Sequence, residues 1–334
     1  MSNMIKEEQH LAENIFDTDA LPKGPTRDGF GKGLVEAAEK DERVVALCAD
    51  LAESTRTLWF KEKFPERYIE IGVAEQNLAT VASGLANYGK IPFITSYAAF
   101  SPGRNNEQIR TTISLNNVPV IIAGAHAGVS VGPDGATHQQ LEDIALMRVQ
   151  PNMTVVVPAD VEEARKATIA AASYGKPIYL RFARSGTPIF TTPETPFEIG
   201  KANILWDDDR PEAALVAVGP LVHHALLAAK ELEAEGIRVM VVNNHTVKPM
   251  DERCMIEAAK KAGAVVPIEE HQVSGGMGSA VAEILSQNYP VPMQFVGVHD
   301  AFGQSGEPDQ LLEYYGMGVG SIKDAVRQVI ARKK

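Results

Sequence analysis

From about residue 44 onward, short β-branched runs alternate with stretches whose apolar residues recur at helical spacing. VVALCA (44–49), YIEIG (68–72), PFITSY (92–97), VPVIIAGA (118–125), TVVVPA (154–159) and PIYLRF (177–182) read as buried strands, because most are apolar throughout instead of alternating. Between them, 74–88 carries Leu78, Val81, Ala82, Leu85 and Ala86 on one helical face and stops at Gly89. A second helical stretch, 160–173, opens on Asp160 as an N-cap. The alternation predicts an α/β fold with a mainly parallel sheet covered by helices on both faces.

After residue 200 the pattern resumes, with apolar runs near 213–219, 237–243, 263–269 and 293–298 and helical spacing near 221–235, 251–262, 276–287 and 321–332. A second α/β domain is therefore expected. The stretch from Thr187 to Gly200, with Pro188, Pro193 and Pro196 and little periodicity, marks the connection. The predicted organisation is an N-terminal arm at 1–21, a first domain at 22–190, a linker at 191–200 and a second domain at 201–334. The arm is polar and unpatterned up to Pro22-Lys23-Gly24-Pro25, and reads as either a mobile tail or a docking segment.

At 334 residues the chain is long enough for two domains that fold without staples. Its two cysteines, Cys48 and Cys254, lie in apolar surroundings with no CxxC or Cys/His spacing, so neither a disulfide framework nor a zinc site is indicated and a reducing cytoplasm fits. With 43 acidic against 32 basic residues, the net charge of −11 argues against nucleic acid as a partner. No apolar stretch reaches the ~20 residues of a membrane span, and residues 1–10 carry no signal- or transit-peptide pattern. An anionic substrate would need a local group of Arg, Lys or His acting against the overall sign.

Several segments could carry chemistry. Ser274-Gly275-Gly276-Met277-Gly278 follows a strand and opens a helix, which invites an anion at the helix N-terminus, but Val281 stands where a dinucleotide fingerprint needs glycine. His126, Asp134 and His138 fall within thirteen residues, in a glycine-bearing loop after the strand 118–125. In a parallel sheet that is where ligands bind, although a turn with surface or satisfied core histidines would look the same. Glu75 could simply favour a helix N-terminus, and Tyr97 and Phe100 could be core packing or two faces for a flat ring. Arg27, at a helix start, and Arg184, beyond the strand 177–182, are the better basic candidates for an anionic group.

Taken together, GVAEQNL with Glu75, the pair Tyr97/Phe100, the loop from His126 to Gln139 and the segment ending at Arg184 resemble the transketolase family of thiamine-diphosphate enzymes. EEHQVSGGMGSAVAE (269–283) and HDAFGQSG (299–306) look like that family's C-terminal domain. The resemblance implies a pyrimidine-binding domain followed by that C-terminal domain. It implies that Glu75 hydrogen-bonds the aminopyrimidine of thiamine diphosphate and drives acid-base chemistry through it, with Tyr97 and Phe100 as the stacking wall and Asp50 and Leu51 nearby. His126 and His138 match histidines that face substrate oxygens, Asp134 an aspartate on a substrate hydroxyl, and Arg27, Ser54 and Arg184 positions that grip a sugar phosphate.

The family's diphosphate-binding domain, with its GDG…N motif for Mg²⁺, has no counterpart in the sequence. The expectation is therefore the C-terminal subunit of a split transketolase, cytoplasmic and active only with an N-terminal partner subunit in an α₂β₂ assembly, transferring a two-carbon ketol unit between sugar phosphates. Ala74 and Gln76 around Glu75 lean toward deoxyxylulose-phosphate synthase, whose arginine three residues beyond Phe100 would fall at Gly103, with Arg104 only adjacent. The beta subunit of a 2-oxo-acid dehydrogenase has similar size and domain order and is the other enzyme alternative; a non-catalytic scaffold subunit is the third.

Overall fold

In the computed structural model, which describes residues 4–333, the apolar runs become the strands of two sheets. The first part of the chain holds β1 (Lys23–Gly24), β2 (Val44–Cys48), β3 (Tyr68–Glu70), β4 (Ile91–Tyr97), β5 (Ile121–Ala125), β6 (Thr154–Val156), β7 (Ile178–Arg181) and β8 (Thr187–Pro188). The second adds β9 (Asn203–Trp206), β10 (Ala213–Ala217), β11 (Val239–Asn243), β12 (Thr246–Lys248), β13 (Val265–Gln272) and β14 (Val296–Val298). The larger sheet has the order β12-β6-β7-β5-β4-β2-β3 and the smaller β14-β13-β10-β11-β9, while β1 pairs only with β8. Within the two sheets every pairing is parallel except β12 on β6 and β9 on β11. This is the expected pair of mainly parallel α/β layers.

From β2 the chain moves out to β3 and then crosses back to β4. The strand order thus reverses between β2 and β4, and a crevice at their carboxyl ends is the natural binding position in such a sheet. One wall of it is set by the helix Thr26–Lys40, which lies unusually close to the helix Val161–Tyr174. A β-carbon at Gly29 would stand 2.0 Å from the Val161 carbonyl oxygen, and one at Gly33 2.6 Å from that of Arg165, so glycine alone permits the approach. This contact fixes the start of the helix that carries Arg27.

The two sheets share structure. A single apolar cluster runs from Leu47, Leu78 and Ile122 through Ile144 and Val155 to Val216, Val242, Met255 and Met277. Strand β12, from beyond the linker, completes the edge of the larger sheet, with Thr246 opposite Val156 and the Lys248 ammonium donating to the Arg148 and Gln150 carbonyls. Arg181 on β7 donates to the buried Asp143 carboxylate at 2.7 Å and to the Glu270 carbonyl on β13 at 2.8 Å, tying the halves through a charged link.

From Ile5 onward the N-terminal segment is docked. Ile5 bridges to Trp206, Phe16 meets the Trp206 ring edge-on at 5.8 Å, and fully buried Ile15 accepts a hydrogen bond at its carbonyl from His223 Nε2. The proline-bearing connection is tied down as well. Asp160, the N-cap of its helix through Glu163 N–H, also accepts from the amides of Phe190 and Thr191 and from the Thr191 hydroxyl.

Candidate active site

Glu75 is the first residue of the helix Glu75–Asn87 and is 2% exposed. The carboxylate therefore lies at the positive end of the helix dipole. Its backbone carbonyl accepts from Nδ2 of Asn105, a fully buried side chain that also donates to the Ser101 hydroxyl and so binds the helix start to the loop after β4. Oε2 of Glu75 accepts from Arg104 Nη1 at 2.8 Å, and the Arg104 guanidinium lies 4.7 Å from the Phe100 ring centroid.

Four rings form a connected cluster, which Arg104 joins to this carboxylate through Phe100. Tyr97, the last residue of β4, and Phe100 lie 20° from parallel with centroids 5.9 Å apart. His126, just past β5, stacks on Tyr97 at 3.9 Å, and His138 sets its edge against Tyr97 at 6.0 Å and Phe100 at 5.5 Å. His126 and Asp50 both turn left-handed at strand ends, with φ of 58° and 57°, a region that non-glycine residues seldom occupy outside functional turns. The His126 backbone thus departs sharply from the strand direction as its ring meets Tyr97.

Arg27 Nη1 lies 3.0 Å from His126 Nε2 and donates to the Ser54 carbonyl at 2.8 Å. Ser54 therefore contributes its backbone oxygen to the arginine. Burial, together with the charges of Arg27, Arg184 and Arg56, pushes the His126 pKa down to about 3, so the ring is neutral. Because guanidinium only donates, Nε2 must accept and the proton sits on Nδ1, where it has no protein partner. Burial and neighbouring Arg56 also lower the pKa of Arg27. Arg184 donates to the Val131 carbonyl at 2.7 Å and stands 3.9 Å from Asp134, both side chains about one-third exposed. Arg27, Arg56 and Arg184 together form the local positive group that the overall charge of −11 does not suggest.

Asp50 and Leu51 lie just past the carboxyl end of β2. The Asp50 amide and the Gly72 amide both donate to Glu70 Oε1, and the Tyr68 hydroxyl to Oε2. Burial would raise the Glu70 pKa, but these donors hold it below the usual carboxylate value. Among the described residues no hydrogen bond or ring contact joins Asp50 or Leu51 to Glu75, Tyr97 or Phe100; Glu70 links the Asp50 turn to the one before Glu75.

Four further residues take part that sequence reasoning left without a role. Arg104 pairs with Glu75, and Arg56, ion-paired to Asp28 at 2.6 Å, adds positive charge near His126. Gln139, 5% exposed, donates through Nε2 to the carbonyls of Val129, Gly132 and Gln304, the last on the second domain. Glu270 Oε1 accepts from the Ser130 amide at 2.6 Å, so the second domain braces the histidine loop twice. The two second-domain motifs quoted above, EEHQVSGGMGSAVAE and HDAFGQSG, carry the two bracing residues Glu270 and Gln304. Behind the loop is a cavity of about 290 Å³, bordered by Ser130, Ser185, His223, His224 and Glu270, which contains none of the expected site residues.

The glycine-rich helix start at Gly276 takes no anion of its own. Glu269 Oε2 and Oε1 accept from the amides of Met277 and Gly278, so a protein carboxylate already occupies the helix N-terminus. The site thus lies at the carboxyl edge of the larger sheet, with its histidine loop braced from the second domain. It combines a buried carboxylate, two near-parallel aromatic rings, two histidines and a basic rim.

Such a set, at the carboxyl ends of parallel strands, lies where α/β proteins bind their ligands. The family profile described as "Transketolase, pyrimidine binding domain" matches residues 23–188, and "Transketolase, C-terminal domain" matches 200–322. The chain belongs to the thiamine-diphosphate-dependent transketolase family. It is 40% identical over 307 residues to the 6-deoxy-6-sulfo-D-fructose transketolase subunit SqwH of Clostridium sp. strain MSTE9, covering 92% of this chain and 95% of the relative. It is 34% identical over 292 residues to one subunit of the apulose-4-phosphate transketolase of Phocaeicola vulgatus, covering 87% and 93%. Its fold matches a split gene transketolase solved as an inactive beta4 tetramer with a TM-score of 0.87 at 45% identity, covering 93% of this chain and 99% of that one.

Proposed function

We propose that this chain is the C-terminal subunit of a two-chain, cytoplasmic transketolase that transfers a two-carbon ketol unit from a ketose to an aldose carrying an anionic group. The observation that carries the reading is that one guanidinium, Arg104, reaches both the buried Glu75 carboxylate at 2.8 Å and the ring of Phe100 at 4.7 Å, a ring near-parallel to Tyr97. The carboxylate and the stacked faces fit the aminopyrimidine of thiamine diphosphate. When bound, that cofactor supplies the electron sink for carbon–carbon cleavage. Glu75 would hold a proton at the ring nitrogen, Tyr97 and Phe100 would bind and orient the ring, and Asp50 and Leu51 would border it.

Around the reacting carbons, the Nδ1–H of neutral His126 is a buried donor with no protein acceptor, which suits a substrate oxygen. His138 lies across the same aromatic faces and would share that task, with Asp134 on a sugar hydroxyl. Arg27 and Arg184, with Ser54 positioning the first, would grip the terminal anion, phosphate or sulfonate, in line with the sugars in the two relatives' names.

In line with the family resemblance, the Mg²⁺-diphosphate half falls to an N-terminal partner subunit with the GDG…N motif, in an α₂β₂ complex. The near-complete coverage of the two subunit-named relatives supports the same division. The test is two-carbon transfer from a ketose phosphate with thiamine diphosphate and Mg²⁺. The chain alone should be inert and the reconstituted complex active. Robust transfer by the isolated chain would refute the division, and turnover of pyruvate with an artificial electron acceptor instead of the sugar would refute the substrate class.

A further inference from the structure

We infer that Arg104 is a built-in occupant of the aminopyrimidine pocket, a side chain that the cofactor must displace from Glu75. The inference rests on the reading of Glu75 and Phe100 given above. The Arg104 guanidinium is flat, donates to Glu75 Oε2 at 2.8 Å and lies 4.7 Å from the Phe100 centroid. Those are the two contacts assigned to the aminopyrimidine, one to the carboxyl group and one to the aromatic face. A guanidinium and a heterocycle cannot both fill that space.

The construction around Arg104 confines the movement to its side chain. Its amide donates to the Phe100 carbonyl at 2.9 Å, and its neighbour Asn105 is fully buried and bonded to the Glu75 carbonyl. The Arg104 side chain is half-exposed, whereas Glu75 is buried. Rotation of the guanidinium toward solvent therefore frees the carboxylate while the backbone that positions it stays in place. In the free subunit the pair keeps a buried carboxylate from being left without a partner, which is costly. In the complex it becomes a competitor, because ligand affinity is reduced by the fraction of molecules in which the pocket is self-occupied.

The experiment uses the complex reconstituted with the partner subunit, at saturating Mg²⁺, with thiamine diphosphate binding followed by calorimetry. Arg104→Met and Arg104→Gln each remove the charge, and thermal unfolding of each isolated variant checks that the fold is retained. The expected result is a Kd about 2- to 5-fold lower than wild type at low salt, the range for releasing a half-exposed ion pair. The advantage should shrink as ionic strength rises to roughly 0.5 M, because the wild-type pair is screened there while the variants have none to lose. Equal or weaker binding by both variants, or an advantage independent of salt, overturns the inference. A wild-type complex that binds no thiamine diphosphate instead overturns the reading of Glu75 on which the inference stands.

Discussion

Arg27 Nη1 approaches Nε2 of His126 to 3.0 Å, and this one contact decides the tautomer of a buried histidine in the middle of the site. With a pKa near 3, His126 stays neutral throughout the physiological range. Its ¹⁵N or ¹³C resonances should show no titration between pH 5 and pH 8. Arg27→Met removes the nearest positive charge and should move the titration upward; a wild-type midpoint near 6.5 would contradict the assignment.

The same group gives a stability slope of known sign. In the unfolded chain the histidine takes a proton near its ordinary 6.5, but in the folded chain only near 3. Its neutral folded form is therefore without penalty above pH 6.5, and stability is lost as pH falls from there toward 3, by about 1.4 kcal/mol per pH unit from this group. Urea unfolding of His126→Gln should show a shallower loss between pH 6.5 and 5 than wild type. Parallel curves would place the acid sensitivity elsewhere.

Gln139 should matter more than a loop residue usually does. Gln139→Leu leaves the Val129, Gly132 and Gln304 carbonyls without their shared donor, a cost of about 1–3 kcal/mol for the brace. The expected outcome is faster hydrogen exchange across residues 129–139 and a fall in kcat/KM with the oligomeric state unchanged. Gly303→Ala should reproduce it, since a β-carbon there would stand 1.8 Å from Gln139 Oε1. Wild-type exchange in both variants would show that the loop holds itself.

Asp143→Ala strands Arg181, 5% exposed, without its carboxylate. Breaking one side of a buried pair of this kind costs about 3–5 kcal/mol. Chemical denaturation should register that loss. A change below about 1 kcal/mol would mean that the carbonyls of Gln140 and Glu270 suffice for the guanidinium.

Sequence legibility followed the range of the interaction. Continuous apolar runs such as Val44–Cys48 and Ile121–Ala125 announced buried parallel strands, and Asp160 announced a helix start, because both signals are local. The helix Thr26–Lys40 was harder to read, since Gly29, Gly31 and Gly33 serve close packing and dilute its periodicity. Strand β12 is three residues long and pairs with a segment about ninety residues earlier, so no local pattern marks it. Glu75, Tyr97, Phe100 and the His126 to His138 loop were legible as a set through their resemblance to a family. Arg104, Arg56 and the Gln139 brace depend on side-chain direction across the fold. Occupation of the Gly276 helix start by Glu269 depends likewise on where a neighbouring strand ends.

Glu75→Gln keeps the shape of the carboxyl group and removes its acid-base function. In the reconstituted complex it should lower two-carbon transfer at least about 100-fold, the lower range for a lost general acid-base group, while leaving assembly intact. A near-normal rate would remove Glu75 from its role.

The most direct measurement is a density map of the complex assembled with its partner subunit in the presence of thiamine diphosphate and Mg²⁺. The account predicts the aminopyrimidine within hydrogen-bond distance of the Glu75 carboxyl group and against Phe100 and Tyr97, with the diphosphate held by the partner chain. A map with the ring bound elsewhere, or with the space beside Glu75 empty at saturating cofactor, would contradict it.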